Sequence, residues 1–278
     1  MSRQQSLNRL SSAEAEKFRN ELLSYAHRFV EAVAAPDGHW RIKGFIDSAR
    51  RIYPMSDDTK VLSKALEIML LPLVYQFAEE NDYQLILSRE QNHYPDVSFV
   101  RKETRIALDM KSTYRRSKRS ESTAGFTLGA FTGYFRDRES KKNITFPYNS
   151  YAGHFVLGII YTRCGEPPDW RRTYSLDELE QILSVAKDFE IVLHEKYRIA
   201  SDRPGSGNTK NIGSCTKLEV LRNGTGPFAS LGIEVFDDYW QYYMTADMAR
   251  QQDLRVPPYR NLEEYLRYKS LPGSKEPR

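Results

Sequence analysis

The residues best able to do chemistry in this 278-residue chain lie close together. Tyr94-Pro95-Asp96-Val97-Ser98-Phe99-Val100 is followed, after residues 101–104, by Ile106-Ala107-Leu108-Asp109-Met110-Lys111. With residues 101–104 as a turn, the two runs pair as an antiparallel hairpin, Asp96 opposite Asp109, Val97 opposite Leu108 and Phe99 opposite Ile106. Side chains alternate faces along a strand, so one face collects Val97, Phe99, Ile106, Leu108 and Met110, and the other Asp96, Asp109 and Lys111. A slip of one residue would mix the two sets, so the apolar pattern itself specifies the register. Two carboxylates directly opposite one another repel unless a cation lies between them. Hard oxygen ligands suit Mg²⁺, which completes its shell with water and phosphate oxygens. Lys111, two residues beyond Asp109, faces the same way and would offset charge on a phosphoryl transition state. Phosphodiester hydrolysis is the chemistry this set can perform. The Asp/Glu-x-Lys tripeptide alone says little, since it recurs at Asp58-Thr59-Lys60 and Glu139-Ser140-Lys141. The same residues also suit the charged outer face of an edge hairpin.

Glu67 is a further candidate metal ligand. Lys60, Lys64 and Glu67 form a polar stripe on an otherwise apolar helix, which either faces phosphate or faces solvent with Lys64 paired to Glu67. Residues 203–214, with Gly205, Gly207, Asn208, Thr209 and Asn211, form a Gly- and Asn-rich stretch without the spacing of a nucleotide-binding loop. Its glycines permit close backbone approach, and asparagine amides match the adenine edge in the major groove. A polar surface turn has the same composition. Gln91 and Asn92 lie in a second amide-rich stretch just before Asp96. Arg115, Arg116, Lys118 and Arg119 form one basic cluster, and Arg136, Arg138, Lys141 and Lys142 another. Such clusters either neutralise phosphates or decorate solvated loops. The absence of His-Glu-x-x-His, Cys-x-x-Cys and Gly-x-Ser-x-Gly motifs disfavours zinc and serine chemistry.

The elements that must position these groups mix helix and strand, which implies an α/β or mixed α+β class. Ser11 and Glu14 read as a capping box opening a helix, with Phe18, Leu22, Tyr25, Phe29 and Val33 as its apolar stripe; the stripe serves either the core or a partner chain. A second helix starts at one of the N-cap candidates Asp57, Asp58 or Thr59 and runs to Asn81, disturbed at Pro72. Strands are expected over 83–87, 97–100, 106–110, 153–161 and 191–194, and a helix over 175–185. The chain is read as one domain over 1–278. Within it, 1–48 is an N-terminal helical part suited to dimerisation, 49–245 the core, and 246–278 a tail. Two cysteines, Cys164 and Cys215, give no disulfide framework and fit a reducing cytoplasm. The longest apolar run, residues 68–75, is interrupted by Pro72 and too short to span a bilayer, so no membrane role is expected. The net charge of +4 is a mild bias toward polyanions.

Taken together, Ile52-Tyr53-Pro54, Asp58-Thr59-Lys60-Val61-Leu62-Ser63, Glu67, Gln91-Asn92-His93-Tyr94-Pro95-Asp96 and Asp109 with Lys111 resemble the EcoRV-like type II restriction endonucleases of the PD-(D/E)XK superfamily. So do Phe126-Thr127-Leu128-Gly129, Tyr161-Thr162-Arg163, the 205–209 and 211–214 segments, and Asp238-Tyr239-Trp240. The likeness spans about residues 45–245. It implies a restriction-endonuclease-like fold, a central mixed β-sheet flanked by helices. It also implies Mg²⁺-dependent hydrolysis of double-stranded DNA at a palindrome, blunt ends with 5′-phosphates, and a homodimer. By resemblance Asp96 and Asp109 hold metal, Lys111 completes the catalytic set, Glu67 lies near a second metal position and Lys60 beside it. Gly205, Gly207, Asn208, Thr209 and Asn211 fall in the major-groove loop, and Gln91 and Asn92 in the loop working from the minor-groove side. Ser112, Thr113, Thr132 and Lys142 correspond to positions near the DNA backbone. The near-unchanged loop implies recognition of GATATC or a close variant. The turn between Asp96 and Lys111 is shorter than in the family, and Glu90 stands where the family has an amide. A nicking or repair nuclease, and a non-catalytic DNA-binding protein, are the alternatives on the same scaffold.

Overall fold

The computed structural model describes residues 3–90, 93–117, 121–205 and 210–270, with side chains from residue 13 onward. Helices α1 (Arg3–Leu23) and α2 (Ala26–Val33) lead into a small hairpin of β1 (Gly44–Ile46) and β2 (Ile52–Pro54), then the long helix α3 (Thr59–Glu80). Strands β3 (Gln84–Leu87), β4 (Val97–Arg101) and β5 (Thr104–Tyr114) follow, then β6 (Thr127–Ala130), β7 (Gly153–Arg163) and β8 (Ala186–Glu195). The rest comprises α4 (Lys196–Ile199), β9 (Ala200–Pro204), β10 (Asn211–Ser214), α5 (Leu218–Asn223), α6 (Ile233–Tyr242), α7 (Ala246–Arg250) and α8 (Leu262–Ser270).

The central sheet has the order β3-β4-β5-β7-β8 and is mixed: β5 and β7 run parallel, and the other neighbours antiparallel. The β4–β5 register is the one the apolar pattern specifies, with Val97 paired to Leu108 and Phe99 to Ile106. Lys102 closes the turn in the left-handed region at φ 58°. A second sheet, β6-β10-β9, carries Asn211 at the start of β10.

Each face of the central sheet has its own core. Val97, Phe99, Ile106, Leu108 and Met110 pack with α1, α2 and α3, around an aromatic cluster of Phe18, Phe77, Tyr83 and Phe99. Ala107, Val156 and Ile160 face the other core, built with Phe131, Trp240, Tyr239, Tyr259 and Tyr265. Helix α3 begins at Asp58, whose carboxylate accepts from the N–H groups of Lys60 and Val61 at 2.9 and 3.3 Å. This also accounts for Asp58 in the Asp58-Thr59-Lys60 tripeptide as a helix cap.

Several expectations are revised. The helix expected to open at Ser11 already runs from Arg3, and it breaks before α2 rather than continuing to Pro36. Its stripe of Phe18, Leu22, Tyr25, Phe29 and Val33 is buried in the first core, so it is no interface for a partner. Residues 175–185 form only a short 3₁₀ turn, Leu176–Gln181, although Glu178 does accept from the Ser175 N–H at 2.9 Å. Part of the expected tail is structured: α7 and α8 lie within it, and Tyr259 and Tyr265 are buried. Residues 272–278 lie outside the described residues. Helix α3, with 22 residues, is long and apolar enough to cross a bilayer by length and composition, because the helix continues through Pro72. Here Leu62, Leu66, Leu70, Val74 and Phe77 spend that apolarity on the first core.

Candidate active site

Asp96 immediately precedes β4 and Asp109 lies within β5, so the hairpin brings their main chains together. The Asp96 N–H reaches Asp109 Oδ1 at 3.3 Å, and the Met110 N–H donates to Asp96 Oδ2 at 2.7 Å. Lys111 Nζ lies 3.1 Å from Asp96 Oδ2 and 3.7 Å from Asp109 Oδ2. All three belong to the sheet face opposite Leu108 and Met110. That face is not an open edge: Asp109 is 3% exposed.

The electrostatics follow from this crowding. Burial first, then the neighbouring Asp109 charge, pushes the Asp96 carboxyl above its ordinary range. Burial disfavours the Lys111 ammonium, but Asp109 and Asp96 outweigh it, and its pKa is raised. A cation between the two carboxylates would relieve their repulsion, and two carboxylates with room for phosphate and water form a donor set suited to a hard divalent ion. Among the described residues no cluster of three or more His, Cys, Asp or Glu side chains forms. Glu67 therefore does not close a third corner. Its carboxylate is held by Lys64 at 2.6 Å, though it lines the same cleft.

That cleft, about 1160 Å³, has Lys60, Glu67, Asp96, Lys111, Ser112 and Thr113 on its walls. A second cavity of about 850 Å³ shares Asp96 and Lys111 and adds Asp109, Thr132, Lys142 and Asn211. The structure thus brings together most of the described residues picked out by sequence. Ser112 is tied to Ser63 on α3 at 2.6 Å. The Thr113 hydroxyl is buried without a hydrogen-bond partner rather than offered to solvent. Gly205 lies on neither wall; its N–H bonds the Asn211 carbonyl at 2.9 Å and closes the base of the β9–β10 segment. Gln91, Asn92, Gly207, Asn208 and Thr209 lie outside the described residues.

The basic clusters are only partly available. Arg115 pairs with Glu190 at 2.7 Å, Arg138 with Asp237 at 2.8 Å, and Arg136 donates to the Tyr243 carbonyl. Arg115 thereby ties the end of β5 to β8, and Arg136 and Arg138 tie the segment after β6 to α6, while Lys118 and Arg119 lie outside the described residues.

Lys196 was missed. It is 2% exposed, its Nζ is 4.0 Å from Asp109 Oδ2, and it sits 4.0 Å over the Tyr94 ring. Burial lowers its pKa to about 8, with Asp109 opposing and Lys111 adding to the shift. Its local sequence, Glu195-Lys196-Tyr197-Arg198, carries no motif; only the topology that ends β8 beside β7, itself next to β5, places it there.

Comparison with known proteins agrees with this geometry. The family model described as "Restriction endonuclease EcoRV" matches residues 36–270. The type II restriction enzyme EcoRV of Escherichia coli is 33% identical over 247 residues, covering 87% of this chain and 96% of that protein. The chain belongs to the EcoRV family of type II restriction endonucleases, and is a site-specific deoxyribonuclease.

Proposed function

We propose that the chain cleaves both strands of double-stranded DNA at GATATC, with Mg²⁺ as cofactor, leaving blunt ends with 5′-phosphates, and that it acts as a homodimer. One observation carries the catalytic part: Asp96, Asp109 and Lys111 converge, Asp96 and Lys111 on the wall shared by two clefts and Asp109 in the second, with Lys111 3.1 and 3.7 Å from the two carboxylates. Asp96 and Asp109 would hold the ion, with Glu67 near a second position. The ion supplies Lewis-acid neutralisation of phosphate charge. Lys111 orients water for attack on phosphorus and offsets the charge that builds there. Breaking the bond from phosphorus to the 3′ oxygen leaves a 3′-hydroxyl and a 5′-phosphate. Lys60, Ser112, Thr132 and Lys142 position the backbone, and the wall residue Thr113 shapes the cleft beside it. Base reading falls to the loop of Gly205, Gly207, Asn208, Thr209 and Asn211 in the major groove, and to Gln91 and Asn92 on the minor-groove side.

A two-fold dimer matches a palindrome. In place of the buried N-terminal stripe, the surface that supports association lies around the β1–β2 hairpin. Phe45, Ile46 and Tyr53 are exposed there, and Leu176, Leu179 and Leu183 are exposed on the segment joined to β2 through Ile52 and Tyr174. Neither cysteine forms a disulfide among the described residues, which supports a reducing cytoplasm as the site of action.

The test is a plasmid with one GATATC site, incubated with Mg²⁺, with EDTA, and with the Asp109→Ala protein. A single blunt break at that site, seen only with metal and intact Asp109, is expected. Cutting elsewhere would discard the site assignment, nicked circles would favour a strand-nicking enzyme, and metal-independent cutting would discard the mechanism.

A further inference from the structure

Asp109 Oδ2 faces two ammonium groups from different elements: Lys111 on β5 at 3.7 Å and Lys196 at the start of α4 at 4.0 Å. Lysines are almost never fully buried unless paired, and Lys196 is 2% exposed. Its surroundings are built to hold the ammonium in place. The Tyr94 ring lies under it at 4.0 Å, and β6 approaches at Gly129, where φ is +92° and a Cβ would sit 3.6 Å from Nζ. On the other side, Asp109 Oδ1 is engaged by the Asp96 N–H. The carboxylate is therefore gripped at both oxygens, and two lysines balance the charges of Asp96 and Asp109.

We propose that Lys196 is a positioning residue that fixes the orientation of Asp109 from behind, so that the carboxylate is presented ready to bind a divalent cation. This rests on the reading of Asp109 as a metal ligand. Lys196 itself lines neither cleft, so it acts through Asp109 rather than on DNA.

The test is a double-mutant cycle on the full chain with Lys196→Met, Asp109→Asn and the combination, read by thermal melting in EDTA and again across a Mg²⁺ titration. Lys196→Met keeps the stem and removes the charge. It is expected to lower the melting temperature, and the double variant to melt above Lys196→Met, because the buried Asp109 charge is gone. In Lys196→Met the Mg²⁺ concentration giving half the metal-induced rise should increase by about tenfold or more, the scale for partners that orient metal ligands. KM for DNA should stay within a factor of about three of the parent. Additive losses of melting temperature, or an unchanged Mg²⁺ midpoint, would overturn the assignment and leave Lys196 as core packing. If Lys196→Met does not fold but the double variant does, the coupling stands; if neither folds, packing sets the loss and the proposal falls. The melting cycle needs no cleavage, so a parent protein that melts as described yet does not cut DNA would sink the nuclease reading alone.

Discussion

The two faces of the central sheet share strands but not purpose. Toward α1 and α3, β4 and β5 present Val97, Phe99, Ile106, Leu108 and Met110, all within one continuous apolar core, with Ser112 and Arg101 at its margins bonded to Ser63 and Glu14. Toward the second layer the alternate residues include Ser98, Asp109 and Lys111, and the buried carboxylate, lysine and histidine side chains among the described residues (Asp109, His154, His194 and Lys196) belong to that side. Neighbouring residues one step apart thus differ by a whole role. The first face gains stability from area removed from water. The second gives some of that up to hold charges where water is scarce, which strengthens every electrostatic interaction there. A single strand can therefore serve both as scaffold and as site, because its side-chain period of two keeps the roles apart.

This division can be broken from either side. The largest effect is expected from Asp109→Ala, which should cut the rate of DNA cleavage by at least about a thousandfold, several kcal/mol of transition-state stabilisation. Single-turnover kinetics on a plasmid substrate would check it, and a loss under tenfold would remove Asp109 from the chemistry. On the opposite face, Phe99→Ala should cost about 3–5 kcal/mol of stability through the cavity it leaves. Denaturant unfolding would measure that cost, and cleavage per folded molecule at low temperature should survive. Were cleavage lost while the protein stayed folded, the two faces would not be separable.

Smaller effects sharpen the picture. Asn208→Ala should lower discrimination between the cognate site and single-base variants by about 1–3 kcal/mol, read from ratios of cleavage rates. Equal cutting of the cognate site by Asn208→Ala and the parent would exclude it from base reading. The smallest effect concerns His154, which stacks on Tyr148 at 4.0 Å and whose Nδ1 lies 2.8 Å from the Tyr94 hydroxyl. Burial holds its pKa well below the ordinary histidine range. The folded state then refuses a proton that the unfolded chain accepts, so stability is complete above about pH 6.5 and falls as pH drops below it, with a limiting slope of about 1.4 kcal/mol per pH unit. His154→Gln should flatten that decline in denaturant titrations between pH 4.5 and 6.5. An identical slope in the variant would place the acid sensitivity elsewhere, His194 being the next candidate because burial lowers its pKa too.

Legibility in the sequence followed the range of the interaction. The β4–β5 register was readable because both strands are local and their apolar residues alternate. A cap at Asp57, Asp58 or Thr59 was readable because capping acts within three residues, and the structure selects Asp58. The candidate catalytic set followed from the hairpin register and from a resemblance carried by short collinear motifs. What could not be read depends on chain crossings distant in sequence. The short strands β6, β9 and β10 have too few residues to show a period. Residues 246–270 are polar enough to read as a tail, yet Tyr259 and Tyr265 insert among Tyr239 and its neighbours. Arg115, Arg136 and Arg138 look like phosphate ligands in sequence, but acidic and carbonyl partners far along the chain occupy them. Lys196 lies 87 residues beyond Asp109, and only the passage of the chain through β7 and β8 brings the two together.

The central claim is that Asp96 is kept for metal-dependent chemistry at some cost to the fold. Because burial and Asp109 raise its pKa, the neutral carboxyl favours the folded state at low pH, and that stability is lost as pH rises from the ordinary carboxyl value through the raised one. Melting and plasmid cleavage of Asp96→Asn, measured at neutral pH with EDTA and with Mg²⁺, test this directly. The account predicts a variant that melts at or above the parent in EDTA, gains nothing from Mg²⁺ where the parent does, and does not cut DNA. A variant that still cuts, or one that melts well below the parent in EDTA, would make Asp96 a scaffold residue and contradict it.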